Sequence, residues 1–120
     1  YISEPIKKGL SLSPRDPHIN FIAAEVLLDN GYVHLDKDKK ELALTYLEKS
    51  QIFLKNTLDY IDLLSYKNVA AEHTFPIDFR YTTTALLGDA KYELFFLYRD
   101  KKQREFLTIR FLNVDSPNLV

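Results

Sequence analysis

A boundary at Pro76 constrains this chain more than any other feature of its sequence. Before it, apolar residues recur at helical spacing; after it, β-branched and aromatic residues dominate as far as Val114. Proline ends a helix because its ring meets the carbonyl four residues back and it has no N–H to donate. The two sides are therefore read separately: a helical part over 16–72 and an antiparallel β part over 73–120, behind an extended lead-in over 1–15. At 120 residues the chain can fill one core and would struggle to fill two, so both parts belong to one compact unit.

On the helical side, Asp16-Pro17 reads as an N-cap followed by proline at the first helical position. Ile19, Ile22, Ala23, Val26 and Leu27 share one face, and Asn30-Gly31 offers a left-handed terminator, so the first helix is expected over 17–29. Tyr32-Val33-His34-Leu35 follows as a short apolar connection. Asp36 or Asp38 then caps a second helix whose face is Leu42, Ala43, Tyr46, Leu47, Ser50 and Leu54. Asn56 and Thr57 form helices weakly, so either a third helix begins at Asn56 and runs to about Ala71, or one bent helix passes through it.

On the β side, Gly88-Asp89 suits a two-residue type II′ turn, which sets Thr83 opposite Leu94 and Tyr81 opposite Phe96. A second turn over Asp100, Lys101, Lys102 and Gln103 sets Leu94 opposite Ile109 and Tyr92 opposite Phe111. Both hairpins place Ile77, Phe79, Tyr81, Ala85, Tyr92, Leu94, Phe96, Leu107, Ile109 and Phe111 on one face. The expected fold class is thus α+β, an N-terminal helical hairpin of two or three helices packed on a three-stranded antiparallel β-meander over 77–114. Its reverse face is polar except for Phe95, Leu97, Phe106 and Leu112, an apolar patch that either the lead-in or a partner covers.

Composition narrows the function classes. Sixteen basic residues against seventeen acidic ones leave a net charge of -1, so no field draws phosphate backbones and nucleic acid is not expected as a partner. No cysteine is present, which removes disulfides and thiolate chemistry and leaves the compartment open. No apolar run approaches the ~20 residues that span a bilayer. The start, Tyr1-Ile2-Ser3-Glu4-Pro5, lacks an initiator Met and a signal-peptide core, which leads us to expect a piece of a longer protein, whose remainder can be membrane-associated.

Ala24, Leu27 and Gly31 with Ala43, Leu47 and Ser50 resemble the small and large packing positions of a tetratricopeptide-repeat hairpin over 17–55. Gly88-Asp89-Ala90, Tyr92-Glu93-Leu94, Arg99-Asp100-Lys101-Lys102 and Phe106 to Leu112 resemble the strand meander of nuclear-transport-factor-2-like domains, especially their bacterial envelope variants. The combination is also similar to virulence-associated Borrelia envelope proteins that act by binding another envelope protein. That resemblance implies an interaction module of the periplasm or cell envelope.

Chemical constellations are mostly lacking. His18, His34 and His73 lie on three segments without paired spacing, so no metal site is expected. Asp36-Lys37-Asp38 matches only the start of a calcium loop, since Glu41 stands at the glycine position and Leu47 at the final acid. No nucleophile elbow or glycine-rich phosphate loop occurs, and no cofactor is expected. Lys101, Lys102 and Arg104 with Arg99 form the densest basic group and read as a polar hairpin tip. By elimination the chain is expected to be a non-catalytic module that binds another protein through Tyr32, Val33 and Leu35 and through Phe95, Leu97, Phe106 and Leu112. The competing expectation is a ligand or proton-transfer pocket between helices and sheet, lined by Tyr81, Tyr92, Phe96 and Ile109.

Overall fold

The computed structural model describes residues 2–67 and 77–115, with side chains over 2–64 and 78–109. Among the described residues there are four helices and no strand: α1 (Glu4–Leu12), α2 (Pro17–Asp36), α3 (Lys40–Lys67) and α4 (Ile77–Asp115). The fold is all-α, and the three-stranded meander expected over 77–114 is a single helix. Gly88 shows no positive φ, so it is not the first residue of a II′ turn. Asp100 to Gln103, read as a second turn, lies inside α4; from Lys101 to Glu105 the residues are Lys, Lys, Gln, Arg and Glu, which form helix readily.

A 4-3-4-3 repeat organises the core. The buried residues of α3 are Leu44 and, at 4-3 steps, Ala43, Leu47, Ser50, Leu54, Thr57 and Ile61; those of α4 are Thr83, Leu87, Ala90, Leu94 and Leu97. In α2, Asn20, Ala24, Leu27 and Gly31 follow the same steps and are buried. A 3.5-residue period keeps one seam facing its neighbours along the whole helix, as in coiled coils. Small and large residues alternate along the α3 seam, so each leucine enters the space a small partner leaves. Leu28, Ala43, Leu44, Leu47, Ala90, Leu94 and Leu97 make one cluster from all three long helices, and Ala24, Leu54 and Leu87 make a second.

Several local expectations hold at the hairpin and others shift. Asp16 caps α2 as read, its carboxylate accepting from the N–H groups of His18 at 2.8 Å and Ile19 at 3.4 Å. The helix does not stop at Gly31 but runs through Tyr32, Val33 and Leu35 to Asp36. It closes instead on Asp38, whose φ of 57° is left-handed, with the Lys39 N–H donating to the His34 carbonyl at 2.8 Å. Asn56 and Thr57 do not interrupt α3; the Thr57 hydroxyl donates to the Phe53 carbonyl four residues back at 2.8 Å. Residues read as an extended lead-in form α1 against α2, where Gly9 lies against Ile19. From Pro17 to Lys67 the hairpin occupies 51 residues, far beyond the 34 of a tetratricopeptide repeat. The family resemblances are thereby overturned, the meander by the absence of strands among the described residues, the repeat by helix length, and the likeness to Borrelia envelope proteins with the two parts it combined.

Buried Asn20 ties the entry of α2 to the preceding turn. Its amide donates to the carbonyls of Pro14 at 3.0 Å and Asp16 at 2.8 Å. Asn20→Ala removes both bonds and leaves part-buried acceptors, which should cost about 1–3 kcal/mol. A urea melt reports it, and an unshifted midpoint would show that the turn contributes nothing.

The helices pack antiparallel. Glu41 near the start of α3 pairs with Arg104 at 3.1 Å, Lys40 with Asp100 at 3.7 Å, and Asp62 with Arg80 at the other end. These exposed pairs mark register more than they stabilise. At 1.5 Å per residue, 39 residues make α4 about 58 Å long against about 30 Å for α2, and the molecule measures 70 × 28 × 23 Å. Its radius of gyration is 19.2 Å, where a compact chain of this length has about 14 Å. Past Arg104, α4 has run beyond the start of α3, and residues 101–109 are all exposed.

Candidate interaction surface

With 3.6 residues per turn, the side of α4 opposite its core seam carries residues 81, 85, 88, 92, 95, 99, 102 and 106. These are Tyr81, Ala85, Gly88, Tyr92, Phe95, Arg99, Lys102 and Phe106, all exposed, so α4 has a second seam with the same 4-3 spacing. Tyr81, Tyr92, Phe95 and Phe106 are 64, 63, 63 and 61% exposed. A solvated face of a bundle helix ordinarily carries charge, and a helix apolar on both sides is ordinarily buried. This one has no helix on its outer side among the described residues.

Aromatic rings are clustered at its middle. Tyr92 meets Phe96 edge-on at 4.9 Å between centroids, Phe95 meets Phe96 at 5.3 Å, and the Arg99 guanidinium lies 4.9 Å over the Phe96 ring. Edge-to-face pairs and a cation over a ring hold side chains in fixed positions, so the cluster is ordered before any contact is made. Below it, Arg99, Lys102, Gln103, Phe106 and Leu107 line a cleft of about 490 Å3. Along the flanks Asp78 and Asp89 follow one edge of the seam and Arg80, Lys91 and Glu105 the other, while Arg99 and Lys102 lie within it.

The residues singled out in the sequence distribute as follows. Phe95 and Phe106 lie on the outer seam, whereas Leu97, 5% exposed, belongs to the core cluster. Leu112 is in α4, with its side chain outside the described residues. Tyr32 and Leu35 pack against the core, and Val33 is exposed on α2. Burial first, then the carboxylates of Asp89, Glu93 and Asp29, hold the Tyr32 phenol above its ordinary range. Burial first, then the negative charge of Glu48 of α3 and a hydrogen bond with it, hold the Tyr98 phenol above its ordinary range.

The residues expected to line an internal pocket do not enclose one. Tyr81, Tyr92 and Ile109 are exposed on α4, and Phe96 lies half-buried beneath Arg99. His18 stacks on Phe79 and His34 on Tyr46, while His73 lies outside the described residues. Among the described residues no three His, Cys, Asp or Glu side chains gather as metal ligands, and no helix is long and apolar enough to cross a membrane. Sequence reading missed Tyr81 and Tyr92 as outward residues, although Tyr81 lies 14 residues before Phe95 and Tyr92 14 before Phe106, two heptads each, which carried the signal. Compared with known proteins, the chain matches no family model, no curated protein and no solved structure at a significant level.

Proposed function

We propose that this chain is a non-catalytic protein-interaction module whose docking surface is the outer seam of α4. The observation that carries the proposal is the stripe of exposed Tyr81, Tyr92, Phe95 and Phe106, which follows a 4-3 spacing on the side of α4 away from a core seam that is already filled. Aromatic residues set in a stripe with charged edges are the composition of interface centres and their rims. A rigid helix also presents them at low entropic cost, because the backbone is already ordered.

The test separates surface from core. Phe95→Ser and Phe106→Ser, in the full chain used as bait on an extract of its source, should abolish capture of its partner while thermal melting stays within a degree or two of the parent. Leu97→Ser, one position class away but in the core, should instead lower the melting temperature. Undiminished capture by the Phe95→Ser and Phe106→Ser chain would remove the outer seam as the docking surface.

A further inference from the structure

We infer that the cleft between the start of α1 and the α2–α3 hairpin binds a single-chain amphiphile with an anionic head, a carboxylate of the fatty-acid class. No residue of α4 lines this cleft among the described residues, so the inference is independent of the reading of the outer seam.

The cleft exists because α1 is too short to cover its groove. Gly9 lies against Ile19, while Ile2 shares the cleft with Leu27, so α1 runs antiparallel to the first part of α2. At 1.5 Å per residue, its 9 residues make about 14 Å. The 28 residues of α3 make about 42 Å. Where α1 begins, the groove is left open. There Ile2, Leu27 of α2, and Leu42 and Tyr46 of α3 supply the apolar lining of a cleft of about 420 Å3. Leu27 is 2% exposed and lies at its bottom; Leu42, 47% exposed, lies at its rim. Such a volume, with an apolar lining and a few polar groups, suits a small molecule.

Charge selects the kind of molecule. Lys7 and Lys49 bring ammonium groups to the cleft from α1 and α3, and no carboxylate lines it among the described residues. The acids of this stretch of α3 are engaged towards α4, Glu41 with Arg104 and Glu48 with Tyr98. Lys49 makes no ion pair among the described residues. Lys7 pairs with Glu4 at 3.6 Å, where both side chains are mostly exposed, so the pair yields to another anion at little cost. The Tyr46 ring is stacked on His34 and thereby held in place against the cleft. Two cations beside an apolar floor complement a carboxylate that carries a hydrocarbon tail: the lysines take the head, and Leu27, Leu42 and Tyr46 cover the tail. A cationic amphiphile meets repulsion at the same place, and a short anion lacks the apolar contact.

Isothermal titration of the full chain with monomeric decanoate should show one site of submillimolar affinity, with amide NMR shifts concentrated at Lys7 and between Leu42 and Lys49. Acetate and decylammonium should not bind at the same concentrations. Lys7→Gln with Lys49→Gln should weaken decanoate about 10-fold or more, because charge-assisted hydrogen bonds are lost. The melting curve should stay unmoved, since both lysines are exposed. Decylammonium binding as tightly as decanoate, or decanoate binding unchanged by the two glutamines, would overturn the inference. Shifts confined to the neighbourhood of Phe95 and Phe106 would do the same, by placing the ligand on α4. So would a cleft that responds to poly-glutamate and ignores decanoate. Absence of binding at several millimolar decanoate overturns it outright and leaves the docking reading of the outer seam untouched.

Discussion

Leu47→Ala is expected to lower the free energy of unfolding by about 2–5 kcal/mol, and Gly31→Ala, which adds one carbon to the opposite helix, by about 1–3 kcal/mol. Leu47 is fully buried. A Cβ on Gly31 would stand 2.8 Å from its Cδ2 and 2.9 Å from its Cγ, so the leucine fills the space that glycine leaves in α2. Alanine forms helix better than glycine by about 1 kcal/mol, and Gly31 is an ordinary helical residue without positive φ. Propensity alone therefore predicts stabilisation, and the contact predicts the opposite. The two changes share one volume, so the double variant should cost less than the sum of the singles by at least about 0.5 kcal/mol. Guanidinium melts of the four chains measure the cycle. Additive costs would show that α2 and α3 do not meet at this point.

The same pair shows what sequence reading reached and what it did not. Asp16-Pro17 was legible because capping is local: the carboxylate, the proline and the first two N–H groups lie within four residues. Ala43, Leu47, Ser50 and Leu54 were legible as a helical face for a similar reason. Gly31 was assigned to a turn because glycine there satisfies a terminator as well as it satisfies close packing, and only the position of Leu47 distinguishes them. The largest failure was α4. One apolar set, Leu87, Ala90, Leu94 and Leu97, faces the core; another, Tyr81, Tyr92, Phe95 and Phe106, faces away. Superposed, they leave no amphipathic period, and a run with apolar residues at most positions will also satisfy an alternation of two if a turn is placed at its glycine. Threonines added to the impression of strand. Yet Thr83, Thr84 and Thr108 each donate a hydroxyl to the carbonyl four residues back at 2.8–2.9 Å, which accommodates them in helix. The candidate site was half legible, since Phe95 and Phe106 were read as outward on the wrong secondary structure and Leu97 was grouped with them by strand parity.

Gly88→Pro should cost about 3 kcal/mol or more, and Gly88→Ala should stabilise by about 0.5–1 kcal/mol. Together they decide between the helix and the hairpin that its sequence resembles. In α4 the glycine is interior, exposed and free of neighbours within 4 Å of its would-be Cβ. An alanine there meets no obstacle and removes backbone entropy from the unfolded chain. A proline loses the N–H bond to Thr84 and presses its ring on that carbonyl. It does so between Leu87 and Ala90, where a kink would part the α4 seam from Leu28, Leu47 and Leu54. In a II′ turn the first central residue has positive φ, which strains alanine, so the hairpin predicts destabilisation by the very change that the helix predicts will stabilise. Both variants should be melted by circular dichroism. A melting temperature that falls in Gly88→Ala would return residues 77–115 to a structure other than one helix, and the outer seam would dissolve with it.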